Sequence, residues 1–249
     1  MPTIKTLALL LFAVALCGIA AVSIERSIRL SGQSKEQISG AQKVKLQAQI
    51  EQQQSEIAAL PQVKTSAERL VKAEKMEELG TLLWQDQKLK ESLAVLTKAL
   101  ALEKEGGAGN DRIVATLNQI ATVCRDSNKY DDMLAALRQI QTLNEHDPQS
   151  TPEIRIRDKQ NMASCNFLLA LQEAQPSKRR QQLQLTQTTM EELKRELLQE
   201  RSTEKLNPGE RSLLATINEN LASVCEELGD TAAAKPLKDE AQTLRSATR

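Results

Sequence analysis

The feature that most constrains this chain is a short block of sequence that returns. Leu117-Asn118-Gln119-Ile120-Ala121-Thr122-Val123-Cys124, Gln160-Asn161-Met162-Ala163-Ser164-Cys165 and Asn218-Glu219-Asn220-Leu221-Ala222-Ser223-Val224-Cys225 align without gaps, each around a small residue. Glu77-Glu78-Leu79-Gly80-Thr81-Leu82-Leu83 fits the same frame. The small positions Gly80, Ala121, Ala163 and Ala222 are separated by 41, 42 and 59 residues, so the last interval carries an insertion. Gln, Ala, Leu, Glu and Lys dominate, while Gly and Pro number only 9 and 7, which makes the repeated unit helical.

The spacing has a physical meaning of its own. A small side chain lets one helix backbone approach its partner, and larger neighbours such as Ile120 and Cys124 fill the remaining gap. One helical hairpin cannot bury its own apolar face, so several must stack into a curved solenoid lined on its inner surface by the first helix of each pair. Glu105-Gly106-Gly107-Ala108-Gly109-Asn110-Asp111, Asn144 to Pro152 and Leu206-Asn207-Pro208-Gly209 supply the breaks between pairs.

These residues resemble the tetratricopeptide repeat, in the 42-residue form seen in kinesin light chains. Leu79-Gly80-x-x-Leu83, Ile120-Ala121-x-x-Cys124 and Leu221-Ala222-x-x-Cys225 match the first-helix signature. Ser92, Leu96 and Ala99 then fall on the second helix of the first unit. Asn128-Lys129-Tyr130 forms the turn of the second unit, ahead of Met133, Leu137 and Ile140, and Lys235-Pro236-Leu237-Lys238 lies in the last. Met76 stands at the signature Trp position, and Asn166 stands where a large residue is usual. The resemblance implies an all-α protein with repeats at 62–105, 111–146, 152–206 (with an extended second helix) and 210–246.

It also implies a polypeptide partner, held by polar side chains on the first helices: Asn118, Gln119, Gln160, Asn161, Glu219 and Asn220. Asn and Gln each offer a donor and an acceptor, so a ladder of them satisfies an extended backbone without dictating its sequence. The same residues also read as solvated side chains on a helix face. A carboxylate-clamping mode is not expected, because the first unit has Glu77 and Thr81 at the relevant positions.

Ahead of the repeats, Thr6 to Ile24 is a run of 19 uncharged residues, with residues 1–5 as a short tail. At about 1.5 Å per residue it approaches the ~30 Å hydrocarbon core of a bilayer, so 6–24 is expected to be a transmembrane signal anchor; a cleaved secretory signal is the alternative. Basic residues flank both sides, and the short tail favours a single-pass topology with the body outside the cytoplasm, periplasmic if bacterial. Residues 25–61 are expected to form a helical stalk. Leu46, Ile50, Gln53, Ile57 and Leu60 make a heptad-like stripe there, which suits a lone spacer or a self-assembling homodimer.

Little else in the sequence carries chemistry. The 33 basic and 33 acidic residues cancel, so no nucleic-acid partner is implied. Aromatics make up 2% of the chain and there is one histidine, His146, so no catalytic constellation, cofactor or metal site is expected and the chain reads as a non-enzyme. Cys124, Cys165 and Cys225 read as buried small hydrophobes, and the Gly-rich loop lacks the strand and Gly-Lys-Ser/Thr of a phosphate loop.

Overall fold

The computed structural model describes residues 40–60, 64–199 and 203–247; the expected span at 6–24 and the beginning of the expected stalk, 25–39, lie outside them. The described residues are helical, with no strand among them: α1 Gly40–Ala59, α2 Ser66–Gln85, α3 Leu89–Gly106, α4 Asn110–Asp126, α5 Tyr130–Glu145, α6 Pro152–Gln172, α7 Pro176–Leu198, α8 Pro208–Leu228 and α9 Thr231–Ser246, with a 3-10 turn at Thr203–Lys205. None of these helices is long and apolar enough to cross a membrane. The chain divides into the compact units Met1–Gln47 and Ala48–Arg249. In the first, the described residues are the opening turns of α1, with Leu46 buried and Val44 exposed.

In the second unit, helices α2 to α9 each pack on the next along the chain, and first helices of successive pairs also touch, α2 on α4 and α6 on α8. Starts are written in local chemistry. Thr65 and Asn207 cap α2 and α8 in reciprocal boxes with Glu68 and Glu210, and Pro152 and Pro208 open α6 and α8, where the missing N–H costs nothing. Within a pair, nesting occurs at the small residue. A Cβ on Gly80 would lie 2.6 Å from Leu96 Cγ, and Ser92 Oγ donates 2.7 Å to the Gly80 carbonyl. Ala121, Ala163 and Ala222 are buried at the equivalent positions.

The turn inside a pair repeats to the atom. Lys88 N donates to Leu83 O at 2.9 Å, Lys129 N to Cys124 O at 2.8 Å and Asp230 N to Cys225 O at 2.8 Å. The residue before each donor is left-handed: Gln87, Asn128 and Gly229 have φ of 61°, 57° and 87°. Asn and Gly tolerate that region, whereas Gln does so at a cost. In the third unit Ala170 stands at this place, and α6 runs on to Gln172 without the left-handed stop. Asn166, the expected large position, is exposed, and Phe167 is buried one residue further on.

The apolar interior forms two clusters that meet on α6: Cys165 belongs with α4 and α5, while Ala163, Phe167 and Ala170 belong with α7, α8 and α9. One buried side-chain amide among the described residues is left unsatisfied in this interior. Asn218 is fully buried where the first and second units have Met76 and Leu117, and neither its amide nitrogen nor its oxygen has a partner among the described residues.

The heptad-like stripe differs from a free-standing stalk. Ile50 and Gln53 of α1 are buried within the chain's own fold. Gln53 Nε2 donates to the Lys75 carbonyl at 3.1 Å and to Glu78 at 2.6 Å, and Lys75 pairs with Glu56. These bonds tie the middle of α1 to α2 through Gln53 and Glu56. The sequence pattern was apolar at the right period, but periodicity does not say which surface the stripe meets.

Two stability outcomes follow from these contacts. Asn218→Leu removes an unsatisfied buried amide while keeping the same branching and heavy-atom count, and is expected to raise unfolding free energy by about 1–3 kcal/mol. Gln87→Gly relieves the left-handed turn and is expected to add about 0.5–1 kcal/mol. Urea unfolding measured on each variant checks both signs.

Candidate functional site

The six polar residues expected on the first helices do not share one environment. Asn118 is exposed on α4; its Nδ2 donates 2.9 Å to Val114 O within the same helix. Gln119 is half-buried and accepts from Thr81 Oγ1 at 3.5 Å, a contact between α4 and α2. Asn161 on α6 is half-buried and makes no hydrogen bond among the described residues. Gln160 and Asn220 lie inside the protein: Gln160 Nε2 donates to Ser164 Oγ at 2.8 Å, and Asn220 Nδ2 donates to the same oxygen at 2.9 Å. Glu219 is gripped by Arg245 of α9, with Nε donating to Oε1 at 2.9 Å and Nη2 to Oε2 at 2.8 Å.

A rule underlies this scatter. Thr81 and Ser164 each follow the small residue of their unit by one position, and Gln119 and Asn220 each precede theirs by two. Both pairs therefore sit at the same place in the repeat, and both bridge the first helix of one pair to the first helix of a neighbouring pair. Alignment made these positions conspicuous, but it could not separate a side chain facing a ligand from one facing the next helix. Ser164 and Asn220 are buried, whereas Thr81 and Gln119 are half-buried.

The joint between the first two pairs holds further residues that the sequence pattern did not single out. Trp84 Nε1 donates 2.7 Å to Asp126 Oδ2 at the far end of α4, and Arg125 pairs with the other oxygen of the same carboxylate. At the near end, Arg112 of α4 donates to Glu103 of α3 at 2.7 Å, to Glu77 of α2 at 2.8 Å and to Leu70 O at 3.0 Å. Between the second and third units, Asn144 Nδ2 donates 2.7 Å to the buried Asp158 carboxylate, whose pKa burial pushes up.

The chemistry of these groups is structural. Cys124, Cys165 and Cys225 are buried and free; burial pushes the Cys124 thiol up to about 11 and the Cys165 thiol up to about 12, away from the thiolate form a nucleophile needs. His146 closes α5 beside Thr142 O. No group of three or more His, Cys, Asp or Glu among the described residues could hold a metal ion. Arg179, from the basic run at the start of α7, pairs with Glu227 of α8.

No protein-family model matches the sequence, and no curated protein matches it. Solved structures do match in shape. The chain is similar to the kinesin light chain nearly identical TPR-like repeats of Podosopora anserina, at 14% identity and a TM-score of 0.59, with 84% of this chain and 90% of that one covered. A point-substituted form of the same repeats aligns at 13% identity and a TM-score of 0.60, covering 83% and 90%. The fold is thus that of a TPR-like repeat protein, an all-α solenoid of stacked helix pairs.

Ser164 is the acceptor for two buried amides, so Ser164→Ala is expected to cost about 2–4 kcal/mol in chemical unfolding, from two orphaned donors. Asn118→Ala, at an exposed position, is expected to stay within about 0.5 kcal/mol of the parent.

Proposed function

We propose that this chain is a membrane-tethered interaction scaffold that holds a polypeptide partner along the first helices of its TPR-like pairs. The observation that carries the reading is the exposed amide of Asn118: its oxygen is free of other described residues, and the half-buried Asn161 on the first helix of the next pair makes no side-chain hydrogen bond among the described residues. Asn118 and Asn161, rather than all six, form the contact set, because Gln160 and Asn220 are committed to Ser164, Glu219 to Arg245 and the Gln119 oxygen to Thr81. An extended partner backbone exchanges hydrogen bonds with such amides, each worth about 0.5–1.5 kcal/mol net.

The tether is the uncharged run at 6–24, and its support is the sequence: length, apolarity and charged flanks. With that tether in the bilayer, the body lies outside the cytoplasm. Self-assembly through the stalk is disfavoured, because Ile50 and Gln53, the middle of the expected seam, are already buried in the chain's own fold.

Affinity capture with the full chain and with Asn118→Ala/Asn161→Ala tests the binding face. Partner recovery is expected to fall about tenfold, matching two lost hydrogen bonds; undiminished recovery removes the assignment. Membrane fractionation of the full chain against one lacking residues 1–39 tests the tether: only the full chain is expected in the membrane fraction. A soluble product shortened at its N-terminus establishes the cleaved signal instead.

A further inference from the structure

Where the first helix pair meets the second, two carboxylates face one guanidinium. Glu103 is fully buried on α3; its Oε1 accepts from Arg112 Nε at 2.7 Å, while its Oε2 is buried with no partner among the described residues. Glu77 on α2 accepts from Arg112 Nη2 at 2.8 Å and is mostly buried. Arg112 belongs to α4 and also holds the Leu70 carbonyl, so one side chain ties three helices and joins the first pair to the second. Among the described residues, the groups acting on Glu77 are Glu103 from α3 and Arg112 from α4. On α2 itself, Arg69 pairs with Glu105, Lys75 with Glu56 of α1, and Glu78 accepts from Gln53 of α1.

With both carboxyls ionised, the joint carries two negative charges against one positive in a poorly solvated place, and one carboxylate oxygen has no donor. A proton between the two carboxyls meets both needs: it removes one charge and gives the buried oxygen a donor. We propose that Glu77, Glu103 and Arg112 form a proton-gated joint, closed while one proton is held between the carboxyls and loosened when that proton leaves to solvent.

The sign follows from the direction of the shift. Burial, then the neighbouring Glu103 carboxyl, raise Glu77 from the ordinary carboxylate range to about 7, against the opposing pull of Arg112. A carboxyl raised in the folded state contributes stability that is complete below its unfolded pKa and is lost as pH rises through the folded one. The first pair is therefore held most firmly to the second in mild acid and is released across neutrality. This is separate from partner binding, since Asn118 and Asn161 take no part in it.

Hydrogen exchange of α2, α3 and α4 on the full chain, corrected for intrinsic rates, reads the joint directly. Opening is expected to rise at least about tenfold from pH 5 to pH 8 in the parent and to be flat in Glu77→Gln, which is neutral at every pH. Carboxyl carbon NMR of the 13C-glutamate-labelled parent needs no variant and is expected to show one glutamate titrating near neutrality. Parent exchange independent of pH, the same pH profile in Glu77→Gln, or all glutamates titrating in the ordinary range overturns the proposal.

Discussion

Close backbone approach at one residue per helix pair is the constraint from which the rest of the structure proceeds. Gly80 lies under Leu96 with no room for a further carbon, and Ser92 fixes the approach by bonding the Gly80 carbonyl. Once two helices nest this closely, their antiparallel turn must be short, and the recurring bond from Lys88, Lys129 and Asp230 back to Leu83, Cys124 and Cys225 closes it with a left-handed residue. The exposed apolar edge of each hairpin is then buried only by another hairpin, which is why α3 packs on α4, α5 on α6 and α7 on α8.

Most of the body could be read from the spacing of four small residues, because in a helical repeat that spacing sets both pairing and stacking. The parts that could not be read share a physical cause: periodicity identifies a face without naming its neighbour. Ile50 and Gln53 repeat as a coiled-coil seam does, yet both are buried within the chain and Gln53 bonds to α2. Gln160 and Asn220 alternate as groove-lining residues do, yet they face Ser164. Ala170 supplied a clue in the third unit, since a residue that resists the left-handed region lets α6 continue to Gln172.

Polar groups divide between the two tasks of such a fold. Buried and half-buried ones link neighbouring pairs through Trp84 with Asp126, Arg112 with its two glutamates, and Asn220 with Ser164. Polar groups that escape this duty, Asn118 above all, are the ones we propose for a partner. Asn218 performs neither task and stands as a local conflict, a buried amide with no partner among the described residues. The repeat alignment makes these polar positions conspicuous, but assigning each member requires knowing which helix lies opposite.

The most direct measurement of the central claim is a set of urea unfolding curves for Gly80→Ala, Ala121→Leu, Ala163→Leu and Ala222→Leu, with exposed alanines on the same helices enlarged as controls. The account predicts that each of the four loses about 1–3 kcal/mol from overpacking while controls such as Ala115→Leu change by less than about 0.5 kcal/mol. Equal tolerance at the four positions and the controls would contradict it.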